Sequence, residues 1–146
     1  MVQLREITKD NYEDVLALCV NDSQKGFVST TEESLAQALD YSNTAYPFAI
    51  CGGGRVVGFI MMGYYEAKGY YTLWKLLIDR EYQGKGYGRA ALTQGIEFLK
   101  NRFNVTEVYT GVSPGNTVAK SLYESVGFRF TGFEEDNMEE MVLTLK

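Results

Sequence analysis

Val2-Gln3-Leu4-Arg5-Glu6-Ile7 alternates apolar and polar side chains, the pattern of a half-buried strand. Asp10 with Glu13 three residues later predicts an Asp-initiated capping box, and Val15, Leu16, Leu18 and Cys19 then mark one helical face. Thr30 with Glu33 repeats that start signal, with Leu35, Ala38 and Leu39 as the apolar side; a loop containing Gly26 joins the two short helices. Pro47 to Cys51 and Val56 to Tyr65 read as a hairpin around Gly52-Gly53-Gly54. Beyond a loop at Glu66 to Gly69, Tyr70 to Ile78 is a strand rich in aromatic and branched residues. A polar, glycine-rich stretch leads into a helix over Ala90 to Asn101, followed by a strand over Val105 to Gly111. Asn116 to Val126 is a helix stopped by Gly127, and strands over Phe128 to Phe133 and Glu139 to Leu145 finish the chain.

This order predicts a mixed α/β (α+β) sheet with an antiparallel hairpin core. The unit from Tyr70 to Gly111 needs a crossover, so its two strands should run parallel. With 146 residues, no repeat and no linker, residues 1–146 read as a single domain.

Composition narrows the chemistry. Apolar residues make up 45% and charged residues 23%, which excludes a disordered chain. No apolar run approaches the length of a membrane helix, and MVQLREITKDNYEDV is not a signal peptide, so a cytoplasmic protein is expected. Histidine is absent, which excludes Ser-His-Asp and Cys-His nucleophiles and His-bearing zinc sites. Cys19 and Cys51 lack metal-like spacing and read as ordinary buried thiols; no metal is expected.

The net charge of −5 is unevenly spread. Residues 1–50 carry 3 basic and 8 acidic side chains, 51–104 carry 8 and 4, and 105–146 carry 3 and 7. The scattered cations and low isoelectric point argue against nucleic acid. A small polyanion on the middle segment and a cationic substrate on the ends would suit the pattern, as would a solvated mixed surface.

The most informative segment is Asp79-Arg80-Glu81-Tyr82-Gln83-Gly84-Lys85-Gly86-Tyr87-Gly88-Arg89, between the aromatic strand and the longest helix. Alternating glycines let the backbone turn several N–H groups toward one point, and the following helix adds its positive end, which suits a phosphate. Lys85 and Arg89 add mobile positive charge. A Walker A loop is excluded, because Gly86 follows Gly84-Lys85. A dinucleotide fingerprint is matched in spelling by Gly86-Tyr87-Gly88-Arg89-Ala90-Ala91. However, Gly86 comes eight positions after Ile78, and Glu107 stands near the start of its strand rather than the end.

Gln83-x-x-Gly86-x-Gly88 resembles the pyrophosphate loop of the GNAT superfamily of acetyl-CoA-dependent N-acetyltransferases. Leu76-Leu77-Ile78-Asp79 resembles the strand that pairs with pantetheine. Asn116-Thr117-Val118-Ala119-Lys120-Ser121-Leu122-Tyr123-Glu124-Ser125-Val126-Gly127-Phe128 resembles the second motif, N-x-x-A-x-x-L-Y-E-x-x-G-F, and the order of elements agrees over essentially the whole chain. The resemblance implies a mainly antiparallel sheet of about seven strands with a V-shaped splay between strands 4 and 5, flanked by about four helices. It implies acetyl-CoA held by Leu76, Leu77, Ile78, Gln83, Gly84, Lys85, Gly86, Tyr87, Gly88, Arg89, Asn116 and Tyr123. Tyr123 would be the general acid for the departing thiolate, although a helix tyrosine also serves packing; Asn116 is equally a good N-cap.

Where relatives acting on polyamines carry mid-strand carboxylates, this chain has Trp74 and Lys75. Glu66 is then the first base candidate, Glu33 and Asp40 are more distant ones, and a water chain is the alternative. The wording of Pro47-Phe48-Ala49-Ile50 and Leu73 to Gly88 is similar to bacterial spermine/spermidine-type acetyltransferases. The acidic first segment, with Asp22, Glu32, Glu33 and Asp40, would attract a polycation, and Glu33 and Asp40 are the substrate-contact candidates. The expected activity is direct acetyl transfer to a primary amine, with a polyamine or similar small cationic amine as acceptor. Peptides, other small amines, and a non-catalytic acyl-CoA sensor are the alternatives. Homodimers are common among look-alikes, and no residue here specifies one.

Overall fold

Seven strands join in one sheet in the computed structural model of the chain, which describes residues 2–20 and 30–145. In chain order they are β1 (Val2–Glu6), β2 (Ala45–Gly52), β3 (Arg55–Tyr65), β4 (Tyr70–Ile78), β5 (Glu107–Val112), β6 (Arg129–Glu135) and β7 (Met138–Thr144). In space they run β1-β2-β3-β4-β5-β7-β6. Among the described residues four α-helices accompany them: α1 (Tyr12–Leu16), α2 (Thr31–Asp40), α3 (Tyr87–Phe103) and α4 (Thr117–Val126). Every neighbouring pair is antiparallel except β4 and β5, which are parallel as the crossover through α3 demands. The mixed, mainly antiparallel architecture is the one expected from the sequence.

The sheet is buried on both faces in its middle. Ile60 and Met62 of β3 pack with Leu92, Ile96 and Leu99 of α3, whereas Phe59 and Met61 pack with Val15 of α1 and Ala38 of α2. This explains why Val56 to Met62 is continuously apolar rather than alternating.

Three local expectations are corrected. The Asp10–Glu13 capping box does not form. Asn11 is the N-cap of α1, and its side chain instead accepts from Thr8 N at 2.9 Å and donates to Glu6 O at 2.9 Å. Helix α1 ends at Leu16, so Leu18 and Cys19 lie beyond it, where Asp79 Oδ1 accepts the Cys19 N–H at 2.9 Å. Leu39 is 78% exposed, because only Leu35 and Ala38 of that trio reach the apolar cluster. The Thr30–Glu33 box forms in both directions, at 2.9 and 3.1 Å. Asp22 and the loop containing Gly26 lie outside the described residues.

Candidate active site

The decisive feature of the sheet is where β4 leaves β5. The two strands pair only at Thr72 with Tyr109 and Leu73 with Thr110, although β4 continues to Ile78 against β3. The register with β3 slips at this point, leaving Trp74 as an extra residue, and such a bulge bends its strand. Two buried threonines pin the fork: Thr72 Oγ1 donates to Tyr109 O at 2.8 Å, and Thr110 Oγ1 donates to Leu73 O at 3.1 Å. Beyond it, Leu77 O faces Gly58 of β3, and Asp79 N donates to Val57 O. Strand alternation therefore turns the N–H groups of Leu76 and Ile78 into the gap.

The end of β4 runs into the glycine-rich turn. Asp79 caps the short 3₁₀ turn Arg80–Tyr82 by accepting from Glu81 N, and Gln83 Nε2 donates to Ile78 O at 2.9 Å. The Gln83 side chain thus clamps the turn to the strand. Gly84 and Gly86 adopt φ of +75° and +87°, where an L side chain is strained. Gly86 is the N-cap of α3, with no side-chain cap and no acidic residue in the first turn. The first intrahelical bond is Ala90 N to Gly86 O, which leaves the N–H groups of Tyr87, Gly88 and Arg89 pointing out of the helix start.

These elements enclose two cavities that meet. One, about 290 Å³, lies between the turn, the start of α3 and α4. The other, about 460 Å³, lies toward α2 and includes Glu33, Trp74, Lys75 and Met138. Leu76, Leu77, Asn116, Ala119 and Tyr123 line both. A larger cleft of about 890 Å³ beside β1 and α1 shares only Tyr82 with the first cavity. It contains neither the open strand edge nor the helix start.

Residues 2–128 match the acetyltransferase (GNAT) family. The chain belongs to that family. It is 28% identical over 148 residues to the spermine/spermidine N(1)-acetyltransferase of Bacillus subtilis (strain 168), with 97% of each chain covered. Its fold superposes on PaiA N-acetyltransferase from Thermoplasma acidophilum in complex with coenzyme A (TM-score 0.77, 16% identity, 99% of each chain). It also superposes on spermidine N-acetyltransferase from Vibrio cholerae in complex with CoA and spermine (TM-score 0.76, 18% identity, 98% of this chain and 95% of that one). This acetyltransferase is an enzyme that acetylates an amine with acetyl-CoA as donor.

The residues present fit that donor. An uncapped helix start with three outward N–H groups suits a diphosphate, and Arg89 lines the cavity beside it. The open edge of β4 offers main-chain groups to an amide-bearing arm, and Leu76, Leu122 and Val118 give that arm an apolar wall. Asn116 caps α4 by accepting from Ala119 N at 3.3 Å and also lines the cavity, so its two readings coexist.

Tyr123 is 8% exposed. Burial pushes its phenol up to about 12, opposed by a hydrogen bond with Thr110. The acetyltransferase thus keeps a proton on this oxygen throughout the neutral range, at the junction of the two cavities.

Not every expected residue is brought to the site. Glu66 is exposed in the β3–β4 turn, before the Tyr70 end of β4 and away from the Ile78 end that runs into the glycine-rich turn. It lines neither cavity, so it is not placed to act there as a base. Asp40 ends α2, about 10 Å along the axis from Glu33, and lines neither cavity. Lys85 is exposed and lines neither cavity; only its main chain belongs to the turn. Glu33 does reach the second cavity. Bonds from Thr30 hold its carboxyl below the usual range, with a smaller pull from the Lys75 charge. Lys75 lines the same cavity, and burial pushes its ammonium down, opposed by Glu33. Thr110 went unread in the sequence, since its two roles depend on partners far along the chain. Among the described residues no helix is long and apolar enough to cross a membrane.

Gly88 differs from its two neighbours. Its φ is unexceptional, and a Cβ there would meet Ile78 Cγ1 and Leu122 Cδ2 at an ordinary 3.6 Å. Gly88→Ala should leave folding and the affinity for CoA within about 3-fold of wild type, because it adds a methyl without strain. Calorimetric titration with CoA checks this, and a loss beyond 10-fold would refute the steric reading.

Proposed function

We propose that the acetyltransferase acts on a polyamine or similar small cationic amine, with the first cavity holding acetyl-CoA and the second holding the acceptor. The observation that carries this reading is the shared wall: Leu76 and Leu77 of β4, and Tyr123 of α4, border both cavities. The full-length likeness to a spermine/spermidine acetyltransferase supports the substrate class.

The N–H groups of Tyr87, Gly88 and Arg89 would hold the diphosphate, with Gly84 and Gly86 giving the turn its shape. Leu76 and Ile78 would pair with the pantetheine arm. When bound, acetyl-CoA supplies an activated acetyl group. A Leu76 N–H fixed in the strand would stabilise charge developing on the acyl oxygen, with no reorganisation needed. Tyr123, whose phenol burial pushes up to about 12, would give its proton to the leaving sulfur only as thiolate charge develops there, and would recover it from water. Glu33, kept ionised by its cap bonds, attracts the acceptor ammonium rather than taking its proton. That proton leaves through water at the mouth of the cavity.

The test is a panel of spermidine, spermine, short diamines and N-terminal peptides with acetyl-CoA, following free thiol. Polyamine turnover at the highest kcat/KM supports the reading; preference for peptides overturns it. Glu33→Gln should raise KM for spermidine roughly 3- to 10-fold, in the range of exposed charge pairs, with kcat nearly unchanged. Folding should survive, since glutamine also completes a capping box. An unchanged KM would remove Glu33 from acceptor binding.

A further inference from the structure

A third cavity, about 210 Å³, adjoins the second and shares Trp74, Gly111 and Met138 with it. It lies past the fork, at the end of β4 near Tyr70, against β5, β6 and β7. It is built unlike the other two. The Lys68 ammonium stands 3.8 Å from the centroid of the Phe133 ring and 6.0 Å from that of Tyr70. It also stands 3.4 Å from both Glu135 Oε1 and Glu140 Oε2. Glu140 is oriented independently of that lysine. Tyr70 donates its hydroxyl proton to Oε2 at 3.1 Å, and Thr131 donates to Oε1 at 2.9 Å. Tyr70 is in turn stacked on Tyr109, with centroids 4.0 Å apart. An alkylammonium on a four-carbon stem therefore already sits between aromatic faces and two carboxylates, in a cavity that shares a wall with the second one.

We infer that this cage is a distal subsite for the second ammonium of the acceptor, and that Lys68 occupies it when no acceptor is bound. The inference rests on the polyamine reading above and deepens it. Lys68 comes from the exposed β3–β4 turn, so its side chain can swing to water without disturbing the sheet. Exchange of one ammonium for another leaves the charge of the cage unchanged, and the ring faces serve either cation. The subsite selects acceptors with a second charge at a distance: a monoamine fills the second cavity and leaves Lys68 in place. The sequence hides it, because Lys68, Tyr70, Phe133, Glu135 and Glu140 come from two hairpins that only the order β4-β5-β7-β6 brings together.

The experiment compares kcat/KM for spermidine and for n-butylamine in wild type, Lys68→Met and Glu140→Gln, together with calorimetric binding of spermidine to the CoA-loaded protein. Lys68→Met removes the competing ammonium and should lower KM for spermidine about 5-fold, the scale of one exposed cation–π contact. Glu140→Gln should raise it about 10-fold, with n-butylamine changed by less than about 2-fold in both, and thermal melting should show both variants folded. Unchanged spermidine-to-butylamine ratios with good spermidine turnover overturn the cage and leave the polyamine reading standing. Neither turnover nor binding of spermidine by wild type is a different result, and overturns both.

Discussion

Gly86→Asp should abolish measurable binding of acetyl-CoA while the protein stays folded. The backbone at Gly86 has φ of +87°, which costs an L residue on the order of 1 kcal/mol, less for aspartate than for most. Nothing lies within 4 Å of a Cβ built there, so no clash adds to that strain. Aspartate is moreover a good N-cap, and α3 has no side-chain cap of its own, so a new bond to the helix start offsets much of the cost. The same bond is what destroys function. The carboxylate takes N–H groups that the diphosphate needs and sets a negative charge against it. We expect affinity to fall at least about 100-fold, roughly 2.8 kcal/mol. Calorimetric titration with CoA beside a melting curve separates the two effects. Unchanged affinity in folded protein would eliminate the turn as the diphosphate site.

Tyr123→Phe should lower kcat by roughly 10- to 10⁴-fold, the range for loss of a positioned acid, with KM for the amine little affected. The stability change should be small, about 1 kcal/mol, because Thr110 keeps its bond to Leu73 O and is not orphaned. The pH dependence gives a second readout. The folded phenol is pushed up to about 12, above the ordinary value of 10, so the folded state holds this proton more tightly than the unfolded chain. Its contribution to stability is then full below pH 10 and is lost as pH rises toward 12. Tyr123→Phe should unfold less steeply with pH across that window. The wild-type kcat should likewise show no downturn from Tyr123 near pH 10. Wild-type turnover in the variant, or a basic limb near 10 that vanishes with it, would remove the assigned role or the assigned environment.

The geometry of the glycine-rich turn was legible because it is local. The turn needs positive φ at Gly84 and Gly86, a helix must begin at once, and Asn116 must cap the next; all are settled by residues a few positions apart. The Thr30–Glu33 box was readable for the same reason. Asp10–Glu13 had the right spelling but failed, since Asn11 found closer partners in Thr8 and Glu6. A capping pattern states what a helix start can do, and competing nearby groups decide whether it happens.

Sequence alone thus determined the kinds of elements, the parallel step from β4 to β5, and a glycine-rich turn that opens directly into a helix, because each depends on short-range sterics and hydrogen bonding. Tertiary structure decided which distant groups share a space. It parted β4 from β5 just after Leu73, sent Glu66 to the remote end of its strand, and drew Glu33 to the cavity while Asp40 stayed outside. It also gathered the Lys68 cage from two separate hairpins. The physical reason is that strand order and bulge position follow from how the whole sheet packs against its helices, and no stretch of a few residues contains that information.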